Sequence, residues 1–521
     1  MKTRKGQIPA LRRTAPLAAA VVAALAGAGA WLAGCAANDP FDASTVPNAA
    51  PVARIFVAPV DSGGDLAPTS YYRARFAWSG TDRDGWVQDY NVSLRTPADQ
   101  DAPWIVTTTE DTVVTFSTDE TGVTDARLLV VCRDDRGAYS DTASQYFAIR
   151  NFPPQIAMEA DYNPLVNMQW EVIDGDTVIW NYGYCNFRFV VHDPDGAVTM
   201  DDFFRWTLAD GDPDTTWDED DPAADPELGW IRVPFGTAEE IKPFEVEVHG
   251  ASPGLKTLTV AVADESLSDA RVQYTWEVRA PSGPVLWVPD NASTAGRAFY
   301  AQVLDTVYGD GNWNTYEMRY GFPDREWVLL ESMRAFRAVL WADGGATSNV
   351  LTRAAGRNGV LWQYVIPTAG QQPGSLLMVS KVITGSGSGI SPAFMNTVLK
   401  IGSSPAPSSG LRNFSGLAVV GDDASLPPMT CTSNFAQALG LAPLAGAQWI
   451  YRFEPCCDRG CFGSTRALEP CDPITAVRWP LRADGTARAV AVSLQPEYFE
   501  RAQAVAFFEA VLTLEMGVTA P

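Results

Sequence analysis

Histidine is nearly absent from this chain of 521 residues: only His192 and His249 occur, so none follows position 249. That excludes an imidazole base from everything downstream, and no other side chain titrates unperturbed so close to neutrality. Basic residues are also few. Against 62 Asp and Glu stand 38 Lys and Arg, a net charge of -24. Such a surface repels nucleic acid and anionic lipid headgroups. Zinc-type C-x2-C pairs are missing too, although the chain has 8 cysteines.

What the chain does have begins at its first residues. Lys2, Arg4, Lys5, Arg12 and Arg13 form a positive stretch without an acidic residue. An apolar run from Ala15 to Trp31 follows and ends in Leu32-Ala33-Gly34-Cys35. That order marks an export signal. The alternative is an uncleaved anchor, since a run of about 17 apolar residues sits at the minimum spanning length. The segment resembles the lipobox of bacterial lipoproteins. The resemblance implies removal of residues 1–34, a diacylglyceryl group on the Cys35 thiol and acylation of the new amine. Several acyl chains on one residue hold a protein firmly, where a single chain does not. Ala36, Ala37 and Asn38 lack the Asp that favours inner-membrane retention, which points to the outer membrane. With an acidic surface, tethering rests on the lipid rather than on a basic patch.

Residues 35–50 are small, polar and Pro-bearing, a flexible spacer. Residues 51–151 read as short strands separated by turn residues, with no amphipathic helix among them, which predicts a β-sandwich. Residues 152–280 repeat the pattern. Asp82-Arg83-Asp84-Gly85 returns as Asp193-Pro194-Asp195-Gly196, and Trp104-Ile105 as Trp230-Ile231. Ser140-Asp141 with Gln145-Tyr146 returns as Ser268-Asp269 with Gln273-Tyr274. Matches in the same order indicate a duplication, a tandem pair of beads. Both copies resemble immunoglobulin or fibronectin type III-like modules of bacterial surface lipoproteins. Trp78, Gly80, Asp82, Asp84 and Gly85 carry most of that resemblance.

An acidic insertion at 209–227 reads as a self-repelling loop. It lacks the EF-hand order. The DxDG turns offer Asp82, Asp84, Asp193 and Asp195 as candidate calcium ligands, against an Asx-turn with Gly at positive φ. Calcium is the only cofactor the sequence suggests.

From residue 283 to 521 the pattern changes. Continuous apolar strands (284–290, 335–345, 375–383 and 488–494) alternate with helical segments (295–309, 348–363, 390–401 and 496–516). That alternation predicts a mostly parallel sheet covered on both faces. The order resembles the class I glutamine amidotransferase-like, flavodoxin-like α/β fold. The expected whole is therefore two all-β immunoglobulin-like sandwiches followed by an α/β domain. In that family a Gly-rich turn supplies donors for an oxyanion, which puts Gly344 and Gly345 in that role. A Cys nucleophile follows the next strand, where this chain has Ser380-Lys381-Val382. A His-Pro-Glu triplet supplies the base, where this chain has Gln495-Pro496-Glu497. Gln cannot accept a proton near neutral pH and activates no thiol. The triad is absent, and Gly344, Gly345, Lys381, Gln495 and Glu497 mark degenerate positions. Gly385 to Gly389 fits neither the G-x-G-x-x-G nor the G-x-S-x-G order and reads as a flexible loop.

Cys431, Cys456, Cys457, Cys461 and Cys471 form a disulfide pool suited to an oxidising compartment. Cys132 and Cys185, one per β-module, read as small buried apolar residues. The expected function is that of a membrane-anchored envelope lipoprotein with a non-catalytic binding or scaffolding role toward protein or glycan. Its other expected partner is the bilayer. The alternative is an envelope hydrolase acting at strand ends near Asp290, Asp343 and Glu497.

Overall fold

The computed structural model describes residues 47–519 apart from 59–69, 116–122, 195–199, 212–228, 237–240, 265–268, 345–348, 385–388, 404–415, 433–439, 455–473 and positions 72, 98, 201, 382 and 417. The export segment, Cys35, Asp195, Gly345, Cys456, Cys457, Cys461, Cys471 and nearly all of the acidic insertion therefore lie outside the described residues. Among the described residues no helix is long and apolar enough to cross a membrane. The chain is mostly β and divides into two compact units, one ending at Ile149 and one running from Arg150 to Pro521.

The first unit contains strands β1 (Val52–Ala58), β2 (Ser70–Tyr71), β3 (Arg73–Thr81), β4 (Val87–Arg95), β5 (Ile105–Thr107), β6 (Asp111–Thr115), β7 (Val123–Asp134) and β8 (Ala143–Arg150). They form two sheets, β1-β3-β6 and β2-β8-β7-β4-β5. Alternation sends Phe76, Trp78, Tyr90, Leu128, Val130 and Cys132 into the space between the sheets. That is the period-two pattern of a sandwich strand with one buried face.

In the second unit, residues 155–278 supply β9 (Gln155–Met158), β10 (Gln169–Ile173), β11 (Asp176–Asn181), β12 (Cys185–His192), β13 (Phe203–Asp210), β14 (Ile231–Pro234), β15 (Ile241–Val248), β16 (Gly254–Ala263) and β17 (Asp269–Val278). The sheets are β9-β12-β15 and β10-β11-β17-β16-β13-β14. Strand for strand this repeats the first unit: β1-β3-β6 answers to β9-β12-β15, and β8-β7-β4-β5 to β17-β16-β13-β14. Both are two-sheet β-sandwiches. Asp82 and Asp193, the first residues of the two DxDG phrases, directly follow equivalent strands, β3 and β12. The repeat extends to a side-chain contact. Just before the first strand of each sandwich an Asn amide donates to an Asp at the end of the penultimate strand, Asn48 to Asp134 at 2.8 Å and Asn151 to Asp264 at 2.9 Å.

The two sandwiches differ in how they are joined to the rest of the chain. The second one shares a compact unit with everything that follows. Its β10–β11 hairpin brings Tyr182 into a core with Phe336, their rings 5.1 Å apart. Gln169 and Glu317 exchange two hydrogen bonds at 2.7 and 3.2 Å, and Asn167 and Asp324 two more at 3.1 and 3.2 Å. His249 stacks on Trp327 at 4.1 Å.

The remaining residues build a nine-stranded sheet from β18 (Val285–Asp290), β19 (Asn314–Thr315), β20 (Ala338–Asp343), β21 (Ser375–Val379), β22 (Ala418–Gly421), β23 (Met429–Thr430), β24 (Gln448–Phe453), β25 (Ile474–Trp479) and β26 (Ala489–Val492). Its order is β19-β18-β20-β21-β26-β25-β24-β22-β23. The first five strands in that order run parallel, and the rest join antiparallel. Helix α1 (Thr294–Tyr308) covers one face; α2 (Glu326–Arg334), α3 (Asn349–Ala354) and α4 (Val360–Val365) cover the other. The four longer parallel strands, β18, β20, β21 and β26, are buried on both sides. Trp287, Leu340, Leu377 and Val490 face the α1 side, and Leu286, Val339, Leu376 and Ala489 the opposite side.

Three long helices expected from periodicity are broken. The segment 348–363 forms α3 and α4, parted where a Cβ on Gly359 would lie 2.6 Å from the Ala354 carbonyl. The segment 390–401 forms α5 (Pro392–Phe394) and a π turn, Met395–Leu399, ended by Lys400 at φ 54. The final segment starts as a 3-10 turn, Pro496–Tyr498, continues as α6 (Arg501–Glu509) and ends in a π turn, Ala510–Glu515. Apolar periodicity survives each break because every piece still faces the same core.

Cys132 and Cys185 are fully buried in the two sandwich cores, and burial pushes both thiols up. Cys431, the described member of the expected disulfide pool, is buried with Sγ 3.7 Å from the Tyr498 carbonyl. No disulfide joins any of the described cysteines.

Candidate functional site

The parallel strands all finish at one edge. Register pairs Asp290 with Asp343, Ala342 with Val379 and Val379 with Val492. From β18 the chain runs through α1 to β19 on one side, then through α2 to β20 on the other. Connections that leave toward opposite faces open a crevice beyond the strand ends, the usual seat of ligands in open sheets.

Asn291, Ser293, Tyr300, Asp343, Lys381 and Glu497 line a cleft of about 130 Å³ at that crevice. Asn291 turns the chain at φ 54, a left-handed conformation that Asn tolerates. Ser293 caps α1, its hydroxyl oxygen accepting from the Gly296 N–H at 3.0 Å. Gly344 is required by close approach: a Cβ there would stand 2.0 Å from the Asn291 carbonyl oxygen. Its N–H donates to the Asp290 carbonyl at 2.8 Å, so this donor is already committed.

The titratable groups divide by environment. Asp290 is buried, accepts from the Trp341 indole at 3.3 Å and does not line the cleft. Asp343 lines it but accepts the Ser380 hydroxyl at 2.6 Å. Glu497 is held above the ordinary Glu range by burial, with a backbone hydrogen bond and Lys381 pulling it down. Its Oε2 is buried without a hydrogen-bond partner among the described residues. Tyr300 is pushed well up by burial and by Glu497 and Asp343, so its phenol stays neutral.

Gly344, Lys381, Gln495 and Glu497 are thus brought together, while Gly345 lies outside the described residues. Gln495 Nε2 donates to the Gly344 carbonyl at 3.5 Å. Neither histidine lines the cleft. Asn291, Ser293 and Tyr300 are not singled out by the sequence patterns. A Ser three residues before a Gly, just after a buried strand, is the available signal for the cap.

In the first unit, Asp84 accepts from the Ala49 N–H at 3.2 Å and pairs with Arg136 at 3.4 Å, and Asp82 accepts from the Asp84 N–H at 3.3 Å. A Cβ on Gly85 would meet Asp135 at 2.1 Å. Asp193 is fully buried. Among the described residues no group of three or more His, Cys, Asp or Glu is arranged to hold a metal ion.

No family model matches the chain, and no curated protein does. Among solved structures it is similar to the fibronectin(III)-like modules of Clostridium thermocellum CbhA, at 11% identity and TM-score 0.16, covering 43% of this chain and 94% of that one. It is also similar to dimeric latent PorU from Porphyromonas gingivalis, at 10% identity and TM-score 0.16, covering 44% of this chain and only 24% of that one. Likenesses this low add nothing to the topology read from the strands.

Proposed function

We propose that this chain is a lipid-anchored bacterial envelope protein with a non-catalytic binding or scaffolding role toward protein or glycan. On this reading the nine-stranded region is a degenerate amidotransferase-like α/β domain. The parallel strand order, Gly344 at the second strand end and the Gln495-Pro496-Glu497 triplet support it. One observation carries the non-catalytic part. In the Ser380-Lys381-Val382 turn that replaces the nucleophile turn, Ser380 is buried and donates to Asp343, and at the base position Gln495 donates to a carbonyl. Neither residue is equipped to attack a substrate or to take its proton. The anchor rests on the sequence from Lys2 to Cys35.

A hydrolase is the second reading, favoured by Asp343 and Glu497 sharing one cleft, with the Glu497 carboxyl raised as a proton donor requires. Fractionation and capture separate the two. The native protein is expected in membranes, Cys35→Ala in the soluble fraction, and crosslinking in intact envelopes should recover a partner that survives Glu497→Gln. A soluble native protein would remove the anchor, and substrate turnover lost in Glu497→Gln would replace binding with hydrolysis.

A further inference from the structure

We propose that the opposite edge of the nine-stranded sheet carries a second ligand site, one for a small oxyanion-bearing molecule held by Arg337. Beside the amino ends of β20, β21 and β26 lies a cavity of about 450 Å³, bordered by Arg334, Arg337, Gln372, Gly374, Thr486 and Gly517. A six-residue strand separates this edge from the strand-end cleft by roughly 20 Å, so the two are independent.

Three observations make this an anion site. First, no carboxylate side chain among the described residues borders it, in a chain where acidic residues outnumber basic ones 62 to 38. Second, Arg337 is exposed and its fork is almost uncommitted: Nη2 reaches only the Gly517 carbonyl, at 3.5 Å, and no carboxylate pairs with it among the described residues. Arg334, three residues earlier, stands at the same rim but is ion-paired with Glu331 and bonded to Gln371, which leaves Arg337 as the open cation. Third, the walls are preformed. A Cβ on Gly374 would lie 2.0 Å from the Tyr364 ring, and Gly517 sits at φ 67 with a Cβ path 2.8 Å from Thr486. Tyr364 is itself anchored through its hydroxyl to the Phe336 carbonyl at 3.1 Å.

A guanidinium with most of its five donors open binds carboxylate or phosphate oxygens in a two-point fork. The Gln372 amide and the Thr486 hydroxyl stand at the same rim to complete the shell. The shared chemistry is a carboxylate or phosphate group on a compact organic body.

The test is calorimetric titration of the detergent-solubilised full chain with inorganic phosphate and, separately, with succinate. Binding that weakens with added salt is expected for at least one probe, and which one identifies the group. Arg337→Gln should weaken it about tenfold or more. Because Arg337 is exposed and lightly bonded, that variant should keep the native melting temperature. Lys381→Ala, at the other edge, should bind unchanged. No heat with either probe at millimolar concentration would overturn the proposal, as would equal binding by Arg337→Gln. Loss on Lys381→Ala alone would move the anion to the strand-end cleft and overturn it too.

Discussion

Ser380 and Asp343, at the ends of neighbouring parallel strands, share a hydrogen bond of 2.6 Å in a nearly water-free setting. On the proposed amidotransferase-like reading the hydroxyl belongs to the turn that replaces the nucleophile turn, and here it donates to a carboxylate. Ser380→Ala should lower stability by about 1–3 kcal/mol, the usual effect of leaving a buried acceptor short of a donor. Denaturant unfolding measures it. An unchanged midpoint would mean that Asp343 does not depend on Ser380.

Glu497 gives a pH signature. Its folded-state carboxyl is raised by burial, so the folded protein holds that proton more tightly than the unfolded chain does. The resulting stability is present below the ordinary Glu value, near 4.3, and is lost as pH rises through the folded value. Glu497→Gln should therefore stabilise the protein at neutral pH and gain nothing near pH 4. Equal gains at both pH values, read from denaturant midpoints, would contradict the raised carboxyl.

Much of this was legible in the chain itself. Strand alternation and the repeated DxDG, Trp-Ile and Ser-Asp phrases pointed to the two sandwiches, because a period of two with turn punctuation has few other solutions. Continuous apolar strands located the parallel edge and, with it, Gly344, Gln495 and Glu497. The helix breaks at Gly359 and after Phe394 were hidden, since apolar spacing registers neither an interrupted helix whose pieces share one core nor a π turn. The joining of the second sandwich to the nine-stranded region was hidden as well. It depends on Asn167, Gln169 and Tyr182, ordinary residues whose partners lie more than a hundred positions away.

That joining has a thermodynamic consequence. Heating residues 152–521 should give one calorimetric transition, not two, because Tyr182 of the sandwich is buried in a core of the nine-stranded region. Tyr182→Ala should destabilise the whole by about 3 kcal/mol, as aromatic truncations in cores do. Two separate transitions in the native fragment would show the sandwich to be an independent bead.

A buried ion network should be equally sensitive. Glu515 takes Arg478 at 3.1 Å on one oxygen and Arg482 on the other, and Arg482 continues to Asp422 at 2.7 Å. The Glu515 and Arg478 side chains are 3% and 2% exposed, so little water screens the pair. Glu515→Gln removes the charge that compensates Arg478 and should lower stability by about 3–5 kcal/mol. Replacing both partners with apolar residues should recover much of the loss; a single variant of native stability would show the network to be dispensable.

The role proposed for this chain is non-catalytic. Ammonia release from glutamine by the full chain, with and without reductant, tests it most directly. On the proposed amidotransferase-like reading, Ser380-Lys381-Val382 and Gln495 replace the nucleophile turn and its base, so release should match the buffer alone. Release above buffer that disappears in Glu497→Gln, or on replacing any one of the five cysteines from Cys431 to Cys471, would show that the domain is an enzyme with its nucleophile elsewhere.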